Sequence, residues 1–184
     1  MAITELAHGL EAEAAKSDDT LTLAEARGYI DRALAKAKEL KQCGSFAVVD
    51  AAGNVVSISK MDGAPAASAG VARAKAFVAA VMQQRTLQFT ERMNHAPERF
   101  SAYRDVFAGL GLPGGTGFPG AGGVPVMRED ERCVGGMASG PGIAPVKQVQ
   151  GVHPKRLEAG RTQGNAEDII ICHALGVPYR TQHG

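Results

Sequence analysis

Two cations stand where the sequence otherwise carries almost none. Arg73 and Lys75 interrupt the stretch Val71–Met82, which is dense in Ala, Val and Phe. Two residues along a helix is a rotation of about 200°, so the two side chains leave nearly opposite sides. A helix with so few polar positions is buried on most sides. At least one cation must then face the interior or a subunit interface, where an unpaired charge is expensive. It needs an acid such as Asp62, Asp50 or Asp168, or an anionic ligand whose carboxylate it can hold.

The second chemical feature is the run Gly135-Gly136-Met137-Ala138-Ser139-Gly140-Pro141-Gly142. Glycines at a strand end let backbone N–H groups approach a ligand or an oxyanion, and Ser139 adds a hydroxyl there. The alternative is a tight turn with a bulge. A nucleophile elbow is excluded because Gly-x-Ser-x-Gly is absent. No P-loop and no dinucleotide fingerprint occurs.

The five histidines, His8, His95, His153, His173 and His183, show no ligand spacing, and no metal is expected. His95 lies near Arg92, and His153 lies near Lys155 and Arg156. Both sit in loop-like segments and are candidates for a general acid or base, or for an axial ligand. Tyr103 can supply a phenolic donor, although its helical register favours packing. His173 reads as a core or interface imidazole. Cys43, Cys133 and Cys172 are odd in number and widely spaced, which argues against disulfides and for three small core residues.

These residues need positioning elements. Thr22-Leu23-Ala24-Glu25 is a capping box that opens an amphipathic helix ending near Gln42–Gly44. Ser45–Asp50 and Val55–Met61, joined through Gly53-Asn54, read as a hairpin. The Ala-rich helix covers 68–83, and a further helix runs from about Pro97 to Leu110. Gly123–Met127 and Cys133–Ser139 form a second hairpin around the charged turn Arg128–Arg132. A loop of about 25 residues follows, long enough to suspect function, and a last helix spans Ala166–Leu175. This order fits antiparallel strands covered by helices better than a doubly wound parallel sheet.

The length of 184 residues suits one domain, 21–184, preceded by an acidic arm over 1–20. Lys plus Arg is 20 against 19 for Asp plus Glu, so no field recruits nucleic acid or an anionic membrane. No apolar run suits a signal peptide or a bilayer span, and a cytoplasmic protein is expected.

Seven segments in order resemble the GlcG/HbpS-like family: Leu21–Arg27, Phe46–Val56, Met61–Ala64, Gly70–Ala76, Gly122–Val126, Val134–Gly140 and Glu167–Leu175. The resemblance implies an α/β domain of the α+β type, with an antiparallel sheet of about five strands and helices on both faces. It also implies assembly into dimers or higher homo-oligomers. Members are haem- or corrinoid-associated binding proteins, accessory proteins of catabolic operons or, in a few cases, enzymes. Carried over by residue, the family lysine is Lys75, the Met-Asp-Gly turn is Met61–Gly63, and the acidic start of the last helix is Asp168. Segments 86–119 and 143–163 are longer than the pattern needs and read as inserted loops.

The resulting expectation is binding of haem or another planar anionic molecule, with Asp62, Arg73, Lys75, Gly135, Gly136, Ser139 and Asp168 around the ligand. The alternative is a cofactor-independent lyase of aromatic or organic-acid catabolism, such as one of the hydroxylaminobenzoate-lyase type, with His95, Tyr103 and His153 as proton carriers. A ligand-free structural oligomer is the third expectation.

Overall fold

In the computed structural model, the residues described are 20–96, 98–99, 101–102, 105, 120–140 and 166–179. Helix α1, Leu23–Glu39, begins at the capping box as expected: Thr22 N–H donates to Glu25 Oε2 at 2.8 Å, and Glu25 N–H donates to Thr22 Oγ1 at 3.2 Å. Its buried stripe is Ala26, Ile30, Ala33 and Ala37, at helical spacing. Strands β1, Ser45–Asp50, and β2, Val55–Lys60, follow. They turn through Gly53 at φ +85°, with Asp50 accepting from the Ala52 and Asn54 N–H groups.

Helix α2, Ser68–Val81, and helix α3, Thr86–Asn94, come next, then β3, Gly123–Met127, β4, Cys133–Gly140, and helix α4, Ala166–Leu175. The described residues hold four strands rather than about five, in the order β2-β1-β4-β3, every neighbouring pair antiparallel. The fold is one mixed α/β domain.

Each face of the sheet has its own core. On one side Phe46, Val48, Val124, Val126, Val134 and Met137 pack against the α1 stripe and against Ile170, Ile171 and Ala174 of α4. On the other, Ala47, Val49 and Ala138 meet Ala72, Ala76 and Ala80 of α2. Alternation along each strand divides these sets, apart from Val134, which lies where the β3–β4 register shifts.

The α2 interface is made of small residues because the helix backbone comes very close. A Cβ on Gly136 would overlap the Ala76 carbonyl, and one on Gly140 would overlap the Ser68 carbonyl. On its outer side α2 buries Val78 against Phe89 and Met93 of α3. Segment 86–119 therefore does not begin as an inserted loop: its first nine residues are a helix that covers α2 from within the chain. Residues 98–99, 101–102 and 105 are helical, in keeping with the helix expected there. The arm 1–20 up to Asp19 and the segment 143–163 lie outside the described residues, as do Tyr103 and His153.

Candidate functional site

The start of β3 is held by side chains from three helices and by the backbone of β4. Lys75 of α2 reaches past this edge strand to α4, where its Nζ lies 2.6 Å from Glu167 Oε2. It also donates to the Ala121 carbonyl at 2.8 Å. Asp168 accepts from the Gly122 N–H at 2.7 Å, and Thr86 Oγ1 of α3 accepts from the Gly123 N–H at 3.0 Å. Ser139 of β4 accompanies them: its own N–H donates to the Gly122 carbonyl. Gly122 adopts φ +101°, and a Cβ there would lie 2.6 Å from Glu167 Oε2 and 2.7 Å from Ser139 Oγ. Only glycine fits a left-handed conformation with no room beside it.

This polar knot is nearly sealed, with the Lys75 and Glu167 side chains only 5% and 11% exposed. Ser139 is fully buried. Its hydroxyl lies close enough to Glu167 to favour the charged carboxylate, yet it makes no hydrogen bond of normal geometry. Burial pushes the Glu167 carboxyl above its usual range, opposed by Lys75 and reinforced by the charge of Asp168. Burial likewise raises Asp168, against the Gly122 N–H, Arg85 and Lys75. Two carboxylates against one ammonium leave the knot short of one positive charge, which Arg85 supplies from nearby. The arrangement can hold a proton or a hydrogen-bond donor. It is no hook for an anion, because its cation is already neutralised.

Arg73 is the other case. It leaves α2 on the side away from Lys75, as the spacing requires, and it is half-buried. Among the described residues no ion pair involves it, and its Nε is buried without a hydrogen-bond partner.

The remaining expected site residues are dispersed. Asp62 is exposed in the turn after β2, where its carbonyl accepts from Cys43 Sγ, and no ion pair joins it to Arg73 or Lys75 among the described residues. The space beside Gly136 is filled by α2, and that beside Gly135 by the Val49 carbonyl and Leu21. Their missing side chains admit the protein's own backbone rather than a ligand's. His95 caps the end of α3 and is exposed, and His173, expected in a core or interface, is also exposed. Cys172 is buried, whereas Cys43 and Cys133 are half-buried, and all three are free.

The acids the sequence offered to a buried cation were Asp62, Asp50 and Asp168; the partner of Lys75 is Glu167, which was missed, as was Thr86. A signal for Thr86 existed: Phe89 and Met93, four apart, mark one face of the helix that Thr86 begins. Among the described residues no group of three or more His, Cys, Asp or Glu could hold a metal, and no helix is long and apolar enough to cross a membrane.

A four-stranded antiparallel sheet between two helical layers, tied by a buried ion pair at one edge, defines a small α/β domain of a known kind. The family model described as "Haem degrading protein HbpS-like" matches residues 21–143, more than half of the sequence, and the chain belongs to that family.

Solved structures share the fold. HbpS is 24% identical with a TM-score of 0.61, over 85% of this chain and 89% of that one. Protein ORFY of Klebsiella pneumoniae, a DUF336 protein, is 24% identical with a TM-score of 0.60, over 85% and 88%. A complex of PduOC with heme is 18% identical with a TM-score of 0.59, over 85% and 94%. No curated protein matches the chain.

Proposed function

We propose that this protein binds haem or another planar anionic small molecule. Family membership supports the reading, since the family is described as haem degrading and a protein of the same fold is complexed with heme. The observation that carries it in this chain is Arg73. Of the two cations on α2, Lys75 has its counter-charge and Arg73 has none among the described residues. Haem carries carboxylates along one edge of a flat apolar ring, and a free guanidinium fork suits them.

Titrating the purified protein with hemin and following the visible spectrum tests the proposal. A saturable shift of the main absorption band is expected, and a spectrum equal to hemin in buffer would refute it. A homo-oligomer in the cytoplasm belongs to the same reading and rests on the sequence resemblance.

A second reading has its own support. Glu167, with raised proton affinity, lies beside the Ser139 hydroxyl and Lys75, an arrangement suited to moving a proton. In that version the protein is a cofactor-independent lyase acting on a small aromatic or organic acid, with His95, Tyr103 or His153 as further proton carriers. Ammonia release from a hydroxylaminobenzoate by the colourless protein, lost in Glu167→Gln, is the expected result; release unchanged by that substitution would remove the reading.

A further inference from the structure

We infer that the planar ligand lies along the β2 edge of the sheet on the α2 face, its ring on Val55 and Ile58 and its carboxylate at Arg73. This placement rests on the proposed binding function and locates it away from the Lys75–Glu167 knot.

The register fixes the geometry. Ile58 pairs with Ala47 and, past a register shift between Val48 and Val49, Val55 pairs with Val49; partners across adjacent strands point to the same face, and the shift is what lets Val55 and Ile58, three residues apart, share one. Ala47 and Val49 pack on α2, so Ile58 and Val55 face the α2 side as well. Among the described residues no helix covers them: they are 42% and 44% exposed.

Helix α2 borders this strip. Near its C-terminal end Phe77 lies against Gly53, in the turn leading to β2. At its N-terminus Ser68 Oγ meets Ser45 Oγ at 2.6 Å, and Ser45 is paired with Lys60 at the far end of β2. Arg73, one helical turn before Phe77 and on the same side, therefore stands beside the middle of β2. Lys60 is exposed on the same face. The strip thus combines β-branched side chains for a flat ring with one unneutralised guanidinium and a second cation. That charge pattern selects a planar carboxylate over a neutral apolar molecule. Edge strands ordinarily avoid this much exposed apolar surface unless something covers it.

The experiment uses the full chain and two probes, hemin and protoporphyrin IX. The second has the same ring and carboxylates without iron, so its binding reports ring and carboxylate contacts alone. Affinities are measured by absorption and fluorescence for wild type, Arg73→Gln, Arg73→Lys and Ile58→Asp. Leu23→Gln serves as the control, because Leu23 is exposed on α1 across the sheet.

Arg73→Gln and Ile58→Asp are expected to weaken both probes about tenfold or more, the scale of a lost charge-assisted hydrogen bond. Arg73→Lys should fall between, and Leu23→Gln should match wild type. Tight binding by wild type that neither Arg73→Gln nor Ile58→Asp alters would overturn the placement and leave the binding function standing. Binding of hemin without protoporphyrin IX would overturn it too, since iron would then be the anchor. A drop in oligomer mass on Ile58→Asp, with affinity unchanged, would assign the strip to a second copy of the chain. Failure of wild type to bind either probe would remove the binding function itself.

Discussion

Replacing Glu167 with Leu leaves the Lys75 ammonium buried with, among the described residues, only the Ala121 carbonyl as hydrogen-bond partner, and the cost follows from that geometry. Removing one member of a buried ion pair destabilises by about 3–5 kcal/mol, against a total of roughly 5–15 kcal/mol for a domain. For a chain of this size that is a fall in Tm of roughly 6–20 °C. Lys75→Met should cost less at neutral pH, because the carboxyl left behind can take a proton. Burial already raises its pKa, and a carboxyl that binds its proton more readily folded than unfolded gains stability as pH falls. The Lys75→Met deficit should therefore shrink between pH 7 and pH 5. The double variant Lys75→Met/Glu167→Leu should recover to within about 2 kcal/mol of wild type, since an apolar pair replaces both charges. Urea unfolding of the four proteins, followed by circular dichroism, completes the cycle. A Glu167→Leu midpoint equal to that of wild type would refute the reasoning, because the ion pair would then hold nothing together.

Gly136→Ala should destabilise by about 1–3 kcal/mol as α2 is pushed off the sheet, visible as a lower thermal midpoint. Thr22→Ala removes the α1 cap and should cost about 1 kcal/mol by denaturant unfolding. Glu25 has the opposite pH behaviour from Glu167. Arg128, gripping it at 2.5 and 3.2 Å, draws its pKa from 4.5 down to about 2. Its stabilisation is complete above pH 4.5 and disappears as pH falls toward 2. At 31% side-chain exposure, solvent screening reduces the pair to about 1 kcal/mol. The advantage of wild type over Glu25→Gln should close over that pH window, and a constant advantage would contradict it.

The elements that local sequence determines were legible. The Thr22–Glu25 box, the β-branched runs at 45–50 and 55–60, and the apolar run at 169–172 each state their conformation without help from distant residues. Helix α3 was marked only by the spacing of Phe89 and Met93. Its N-terminus has no Ser, Thr, Asp or Asn in the capping position, and its hold on the fold is the packing of Phe89 and Met93 against Val78. For the site, the opposition of Arg73 and Lys75 follows from helical rotation alone. Which cation is satisfied does not, because the answer depends on α4, whose Glu167 is 92 residues away. Adjacent residues of α4 differ by about 100° in direction, so choosing between Glu167 and Asp168 required knowing how that helix docks.

The tight seat of α2 on the sheet has an evolutionary consequence. Gly136 and Gly140 admit no Cβ without moving the α2 backbone, and Ala72, Ala76 and Ala80 are buried in the same seam, so drift at these positions is opposed by packing alone. Across related sequences they will look as invariant as a reaction centre. A search for function guided by invariance would be drawn to this seam and away from Arg73, whose side chain lies outside it.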